Sequence, residues 1–149
     1  MKPINEMKTA FPSCSANEAL ARGVTAVFAA QADPTVDELA DLRTAVSEAV
    51  TNCIVHAYPD RIGRIGMQLR LYGDGRLVVK ISDWGCGIAD VKQAMTPLFT
   101  TGGEERSGLG FSVMESFCDK VRVRSQEGKG TVVTLDKYIS KRERQGTKR

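Results

Sequence analysis

The chain has 149 residues, a length typical of one globular domain, with 42% hydrophobic and 26% charged residues. This composition excludes collagen-like, low-complexity and disordered classes, and a chain of this length buries enough core to need no disulfide scaffold. Lys and Arg number 21 against 18 Asp and Glu, and the formal net charge of +3 is too small to indicate nucleic-acid binding.

The N-terminal residues show no sign of a targeting segment. They lack the apolar run and the cleavage pattern of a signal peptide, and no stretch approaches the roughly 20 apolar residues of a membrane span. The cysteines, Cys14, Cys53, Cys86 and Cys118, are far apart, and the chain has a single histidine. We therefore expect no zinc site, reduced thiols, a cytoplasmic location, and neither a membrane nor a direct nucleic-acid partner.

An edge strand and a first helix are predicted at the start of the chain. Residues 4–12 alternate weakly between polar and apolar, which suits an edge strand. Ser15 and Glu18 have the spacing of a capping box, which predicts a helix running to about Gln31. Its buried stripe is predicted from apolar residues at helical spacing, namely Ala19, Leu20, Val24, Val27 and Phe28.

A second helix is predicted from a repeat of the same signal. Thr35 and Glu38 again have capping-box spacing, and the helix is expected to run to about Ala57. Its apolar residues form one stripe, namely Leu39, Leu42, Val46, Ala49, Val50, Cys53 and Ile54.

Hairpin-linked strands make up the rest of the chain. Glycine-containing turns join the two members of each strand pair. Helices precede and interrupt these strands, which indicates an α+β fold: a two-layer sandwich with a mixed, mostly antiparallel sheet and helices on one face. We expect one domain over 1–136 and a basic tail over 137–149. The predicted elements are strands near 64–72, 76–83, 120–126 and 130–136, a short helical piece around 89–95, and a helix over 108–117.

Polar residues follow one face at the end of the second helix. Glu48, Asn52 and His56 are spaced i, i+4 and i+8, beside the apolar stripe. A carboxylate there can act as a general base, and a carboxamide oxygen can bind a hard cation such as Mg²⁺. Taken alone, the pattern also fits the solvated edge of an ordinary amphipathic helix.

Three glycine-containing segments follow in chain order. D-W-G-C-G from Asp83 lets the backbone approach a flat ligand, and T-T-G-G-E-E-R-S-G-L-G-F from Thr100 leads into a helix N-terminus that suits phosphate. Arg106 lies in the second segment and can reach a terminal phosphate. G-K-G-T ends at Thr131. Singly, these segments also fit a strand-ending turn, a surface loop and a hairpin turn.

The order of these elements resembles the ATP-binding fold shared by gyrase, Hsp90, histidine kinases and MutL. The Walker pattern G-x-x-x-x-G-K-[ST] is absent, as this resemblance requires. The segments S-E-A-V-T-N, P-L-F-T-T and E-R-S-G-L-G-F-S-V-M-E-S-F make the chain most similar to the anti-sigma F factors of endospore-forming bacteria, which are small serine kinases. The fold implied is the histidine-kinase-like ATPase fold.

The resemblance implies ATP or ADP and Mg²⁺ as ligands and assigns roles to individual residues. Glu48 would deprotonate the accepting serine, Asn52 would hold Mg²⁺, and Arg106 would neutralise the terminal phosphate or touch the protein substrate. Asp83 would accept from the adenine amino group, and Arg22 on the first helix would contact partners. The remaining nucleotide-binding residues implied are Gly85, Gly87, Ile88, Thr100, Thr101, Ser107, Gly108, Leu109, Gly110 and Thr131. The segment around Gly102 and Gly103 is about one residue shorter than the family pattern, which leaves its phosphate contacts open.

Members of this family bind a sporulation sigma factor and phosphorylate a small anti-anti-sigma protein, so the resemblance implies both partners and a homodimer, for which residues 4–12 offer an edge. The sequence leaves three alternatives open. One is the related stress-response kinase of the anti-sigma B type, against which the P-L-F-T-T segment and the short tail speak. The others are a nucleotide-switched binding module without kinase activity and an ATPase without a protein acceptor.

Overall fold

Five strands and four helices form the fold in the computed structural model, which describes residues 1–95 and 110–140. The strands lie in the order β1-β2-β3-β5-β4, and all four pairings are antiparallel. The predicted α+β architecture is confirmed. In chain order the elements are β1 (Asn5–Pro12), α1 (Ala16–Ala29), α2 (Val36–Asn52), β2 (Arg64–Leu71), β3 (Arg76–Asp83), α3 (Val91–Ala94), α4 (Gly110–Phe117), β4 (Lys120–Gln126) and β5 (Gly130–Tyr138).

The core lies between the helices and one face of the sheet. Residues of β2 and β3 alternate between buried and more exposed positions, as expected for strands that cover a core on one side only. Helix α2 packs over the sheet with α1 and α4 beside it, and its last turn lies at the ends of β3 and β5. The fully buried side chains of the core between the helices and the sheet include Leu42, Val46, Val50, Ile65, Leu69, Val79, Ile81 and Leu135. No helix in the described ranges is long and apolar enough to cross a membrane.

The predicted start of α2 is confirmed. Glu38 N donates to Thr35 Oγ1 at 3.0 Å, and Thr35 N donates to Glu38 Oε1 at 2.8 Å. A third donor, Ser140 N after β5, reaches Glu38 Oε2 at 2.8 Å. Burial raises the pKa of Glu38, but the hydrogen bonds from Thr35 and Ser140 outweigh it and hold the pKa at about 2.

The predicted capping box of α1 is wrong. Ser15 itself has helical backbone angles (φ −57°, ψ −33°), whereas a capping serine needs an extended conformation, and its side chain caps nothing. Glu18 turns instead toward α2, where its carboxylate accepts from the hydroxyl of Ser47. The same carboxylate lies 3.1 Å from the guanidinium of Arg22.

The predicted buried stripe of α1 is also partly wrong. Leu20 is 49% exposed and Val27 is 77% exposed. Among the residues that α1 buries are Ala21, Thr25 and Phe28, and the Thr25 hydroxyl is satisfied by the carbonyl oxygen of Ala21 at 2.8 Å. Small side chains therefore face α2, and two large apolar side chains are left on the outer surface of α1.

Candidate functional site

The end of β3 places a carboxylate inside the molecule. The register of β3 and β5 sets Asp83 opposite Thr131, and Asp83 is only 7% exposed. The backbone N–H groups of Gly85 and Thr131 donate to Asp83 Oδ1 at 3.0 and 3.2 Å, and the thiol of Cys53 lies 3.6 Å from Oδ2. The carboxylate is therefore fixed in orientation by groups from three separate segments.

Burial and hydrogen bonding oppose one another at this carboxylate. Burial raises the pKa of Asp83, while hydrogen bonds from Gly85, Cys53 and Thr131 act to lower it. Burial, and next the nearby charge of Asp83, raise the pKa of Cys53 well above its usual value. Cys53 therefore stays a protonated thiol, which can donate to the carboxylate.

The glycines after Asp83 allow this turn to pass close to its neighbours. A side chain on Gly85 would put its Cβ 2.2 Å from the carbonyl oxygen of Ala57, so only glycine fits. Gly87 has φ +73°, the left-handed region that glycine adopts without strain. The next residue, Ile88, donates its N–H to Ser125 Oγ at 2.7 Å, and that oxygen lies 2.8 Å from Thr131 Oγ1. The turn is thus anchored to the β4–β5 hairpin.

A π-helical turn over Cys53–Ala57 follows α2, where the sequence predicted a continuous α-helix. Wider turns of this kind occur often at functional sites. Here the turn carries the Cys53 side chain to Asp83 and the carbonyl oxygen of Ala57 to Cys86 N, which donates at 3.2 Å. His56 is half-buried in this turn, and its carbonyl oxygen accepts from the thiol of Cys86 at 3.0 Å.

Two of the predicted polar side chains meet the start of α4. A Cβ placed on Gly110 would lie 3.3 Å from Glu48 Oε2 and 3.4 Å from both amide atoms of Asn52. Glu48 and Asn52 are each partly accessible, on the last two turns of α2. The structure therefore brings a carboxylate, a carboxamide and the first residue of a helix into one place.

The other residues predicted to surround the phosphates lie outside the described ranges. They are Thr100, Thr101, Arg106, Ser107, Gly108 and Leu109, and their roles stay predictions. Within residues 1–95 and 110–140, no cluster of three or more His, Cys, Asp or Glu side chains could hold a metal ion by itself. The role of Asn52 as a ligand for Mg²⁺ stays a prediction.

Arg22, predicted to contact partners, lies on α1 one turn after Glu18. Its guanidinium pairs with Glu18 at 3.1 Å and keeps about a third of its side-chain surface exposed. The structure does not bring Arg22 together with Asp83 or Thr131. Arg22 lies on a separate surface, and Val27, which is also exposed, lies on another side of the same helix.

Sequence reasoning missed several residues that shape the site. Cys53 was predicted to be only a packing residue, and neither Tyr58 nor Ser125 was singled out. The Tyr58 hydroxyl accepts from Trp84 N at 2.7 Å and donates to the carbonyl oxygen of Arg64 at 2.6 Å, which fixes the backbone next to Asp83. These roles depend on contacts between distant segments, and no local signal in the sequence pointed to them.

Comparison with known families and proteins gives consistent results. The profile of the histidine kinase-like ATPase domain matches residues 11–137. Among curated proteins, the anti-sigma F factor of Caldanaerobacter subterraneus subsp. tengcongensis is 52% identical over 138 residues, which cover 92% of this chain and 96% of that protein. The anti-sigma F factor of Pasteuria penetrans is 49% identical over 140 residues and 91% of both chains.

Solved structures support the same fold at lower sequence identity. The RsbU and RsbW domains of Rv1364c from Mycobacterium tuberculosis align with a TM-score of 0.66 and 20% identity, over 92% of this chain and 32% of that one. The mycobacterial sensor histidine kinase MprB aligns with a TM-score of 0.55 and 22% identity, over 68% of this chain and 72% of that one. The resemblance drawn from the ordered motifs is confirmed.

Proposed function

The chain belongs to the anti-sigma F factor family of histidine kinase-like ATPases, and from this premise we propose that it is a Mg²⁺- and ATP-dependent protein serine kinase. In this proposal the protein binds and inhibits a sporulation sigma factor, sigma F, and phosphorylates a serine of the anti-anti-sigma protein that opposes it. Both partners act on transcription, so the proposed location is the cytoplasm.

The observation that carries the proposal is the meeting of Glu48, Asn52 and Gly110. A partly accessible carboxylate beside the first residue of a helix suits proton removal from a hydroxyl that attacks a phosphate. The N–H groups that begin a helix favour negative charge, and α4 begins at this point. A module that only senses nucleotide has no need for such a base.

The donor set at the other end fits an adenine ring. Asp83 Oδ1 already accepts two backbone N–H groups, while Oδ2 has the thiol of Cys53 and lone pairs left for an amino group. In the proposed complex Gly85, Gly87 and Ile88 lie along the ring, and Thr131 supports the same edge through water. The two ends of the site therefore suit an adenine nucleotide, ATP or ADP.

When bound, ATP would supply the transferable phosphoryl group and leave as ADP, and Mg²⁺ would neutralise charge on the phosphates. The residues of the chain bind and orient the nucleotide: Asn52 offers its amide oxygen to the metal ion, and Glu48 takes the proton of the serine hydroxyl. Arg106 remains the proposed cation for the terminal phosphate, with the phosphate lid proposed over Thr100, Thr101, Ser107, Gly108 and Leu109.

The test is transfer of labelled phosphate from ATP to a candidate anti-anti-sigma protein. Glu48→Gln keeps the shape of the side chain but removes its basicity, so we expect transfer to fall by about 10²–10⁴-fold. Glu115→Gln, on the exposed side of α4, is the matched control and should transfer at the wild-type rate. Transfer by Glu48→Gln at the wild-type rate would show that the assigned base is wrong.

The alternatives give different results in the same assay. If the wild-type protein transfers nothing while it still binds sigma factor, it is a nucleotide-switched binding module. Rapid ATP hydrolysis without an acceptor indicates an ATPase, and capture of a stress-response sigma factor in place of sigma F indicates the anti-sigma B branch.

The surface of α1 is the proposed contact for partners. Arg22 is held by Glu18 and keeps part of its side chain exposed, so its charge can reach a partner, while Leu20 and Val27 are exposed on another side of the same helix. We expect Arg22→Ala to reduce capture of sigma factor in a pull-down by about tenfold or more, as loss of a central arginine does. Arg43→Ala on the exposed side of α2 is the control, and equal losses in both variants would contradict the assignment.

A homodimer completes the proposal. Strand β1 ends the sheet at one side, so its outer edge can pair with a second copy. Sedimentation of the purified chain tests this, and a monomer at all concentrations would exclude it.

A further inference from the structure

The face of the sheet turned away from the helices carries a groove of about 610 Å³. It runs across β2, β3, β5 and β4, on the side of the sheet opposite the core, and at one end its lining reaches Ser125 and Gly130, close to Asp83. Its lining includes five cationic side chains and, among the described residues, no acidic one. We call it the basic groove and define it by Arg70, Arg76, Lys80, Arg122 and Arg124.

This concentration of charge contrasts with the rest of the chain. Over the whole chain the charges are nearly balanced, with 21 basic and 18 acidic residues, and protein surfaces usually mix both signs. The described lining of the groove, by contrast, carries basic residues and no acidic one. Lys80 and Arg124 form no ion pair with any residue in the described ranges. Their charges are therefore available to a ligand.

Other cations of the groove are held in place in advance. Asp136 lies just beyond the groove and pairs with Arg76 at 3.3 Å and with Arg122 at 3.2 Å. Arg76 also stacks on the ring of Tyr72 at 4.2 Å. Side chains restrained in this way lose less freedom on binding, which favours recognition of an anionic partner.

The floor of the groove favours an extended peptide. Val132 on β5 lies between the cations of β4 and those of β3, and Val78 lies on β3 between Arg76 and Lys80. Arg122 and Arg124 are two residues apart on one strand, a repeat of about 6.6–6.8 Å that an extended peptide shares. Acidic side chains at alternate positions of such a peptide match this repeat, and its backbone or small apolar side chains can cover the valines.

Other occupants fit the groove less well. A second copy in the same orientation would bring like charges together, and the C-terminal residues of this chain, 141–149, are themselves mostly basic. Single-stranded nucleic acid binds by stacking bases on open aromatic rings, but Tyr72, the aromatic residue in the described lining, is covered by Arg76.

We propose that the basic groove binds an acidic, extended segment of a protein partner, at a site separate from the nucleotide site. The proposal does not depend on kinase activity. It adds a second contact surface to the molecule, on the face opposite to α1.

The experiment measures binding of a labelled peptide with alternating Glu and Val residues to the full chain, by fluorescence anisotropy at low and at moderate salt. We expect salt-sensitive binding that weakens on the order of tenfold or more in Lys80→Glu/Arg124→Glu. The control Lys2→Glu/Arg43→Glu has the same change in net charge at exposed positions outside the groove and should bind as the wild type does.

Each other outcome overturns the proposal. They are absence of peptide binding, equal weakening in the control variant, and tighter binding of a single-stranded oligonucleotide of the same charge. Binding of labelled ATP to all variants is measured in parallel. Retained ATP binding shows that a loss of peptide binding reflects the groove and not unfolding, and a failure of ATP binding in the wild type would count against the proposed function alone.

Discussion

Cys53 is one of the groups that act on the charge of Asp83, the carboxylate proposed to bind adenine, after burial and the backbone N–H of Gly85. Its thiol donates to Asp83 Oδ2 and thereby lowers the pKa of a group whose burial raises it. Cys53→Ala should therefore raise the pKa of Asp83, and the loss of nucleotide binding on acidification should begin at a higher pH than in the wild type. Titration of a fluorescent ATP analogue between pH 4 and 8, on the order of ten points, measures this shift.

Two further variants separate this effect from simple packing. Cys53→Ser restores a hydrogen-bond donor, so the pH at which nucleotide binding is lost should move back toward that of the wild type. Cys86→Ala removes the exposed thiol that donates to the carbonyl oxygen of His56. This variant should lose nucleotide binding at the same pH as the wild type. If Cys53→Ala lost nucleotide binding at the same pH as the wild type, the thiol would have no part in the ionisation of Asp83.

For individual residues of the site, the sequence predicted which side chains take part but not the hydrogen bonds and contacts that hold them in place. Glu48 and Asn52 were predicted to share a face because α-helical spacing is local, and their contact with Gly110 follows from how α2 and α4 pack. The hydrogen bond between Cys53 and Asp83 joins residues 30 positions apart through a π-helical turn, which has no sequence signature.

The capping box of α2 makes the stability of the protein depend on pH. Hydrogen bonds hold the folded-state pKa of Glu38 at about 2, below its ordinary value of 4.5, so its stabilising effect is complete above pH 4.5 and is lost as the pH falls toward 2. We expect Glu38→Gln to be less stable than the wild type at pH 7, and the difference to narrow below pH 4.5. Urea midpoints at several pH values test this, and a difference that does not change with pH would contradict it.

Two glycines should respond to alanine in opposite directions. Gly23 lies exposed in α1, where a Cβ meets nothing within 4 Å, so Gly23→Ala should stabilise by about 0.5–1 kcal/mol. At Gly85 the same atom would lie 2.2 Å from Ala57 O, and Gly85→Ala should lower both stability and nucleotide binding. Calorimetry of the two variants tests the pair, and a stabilised Gly85→Ala would contradict the geometry of the turn.

Helices and strands were predicted well where the signal lies within a few residues. They were predicted poorly where packing against another element determines the cap or the buried face. Strand β3 and the start of α2 follow from alternation and capping within a few residues. Ser15 fails as a cap because Glu18 turns to Ser47 on a different helix. The exposure of Leu20 and Val27 depends on which face of α1 packs against α2, and the apolar spacing alone does not fix that choice.

For the whole molecule, the proposed nucleotide should act as a stabiliser. A ligand present at about 100 times its dissociation constant adds about 2.7 kcal/mol. For a chain of this length that corresponds to a rise in Tm of about 5–10 °C. We expect this shift with ATP or ADP but not with GTP, which has no amino group at the corresponding ring position, and not in Asp83→Asn. Equal shifts with ATP and GTP, measured by differential scanning calorimetry, would contradict adenine recognition by Asp83.

The position of β1 has a consequence for synthesis on the ribosome. This strand is made first, yet its register partners run from Leu71 back to Arg64, so it waits unpaired while α1 and α2 emerge. The delay leaves an open strand edge, which is the usual starting point of aggregation. Glu6, Lys8 and Pro12 on β1 oppose mispairing during this interval, as charges and proline do on exposed strands. Because β1 pairs with β2 on one side only, its other edge stays open after the monomer has folded and is available to a second copy.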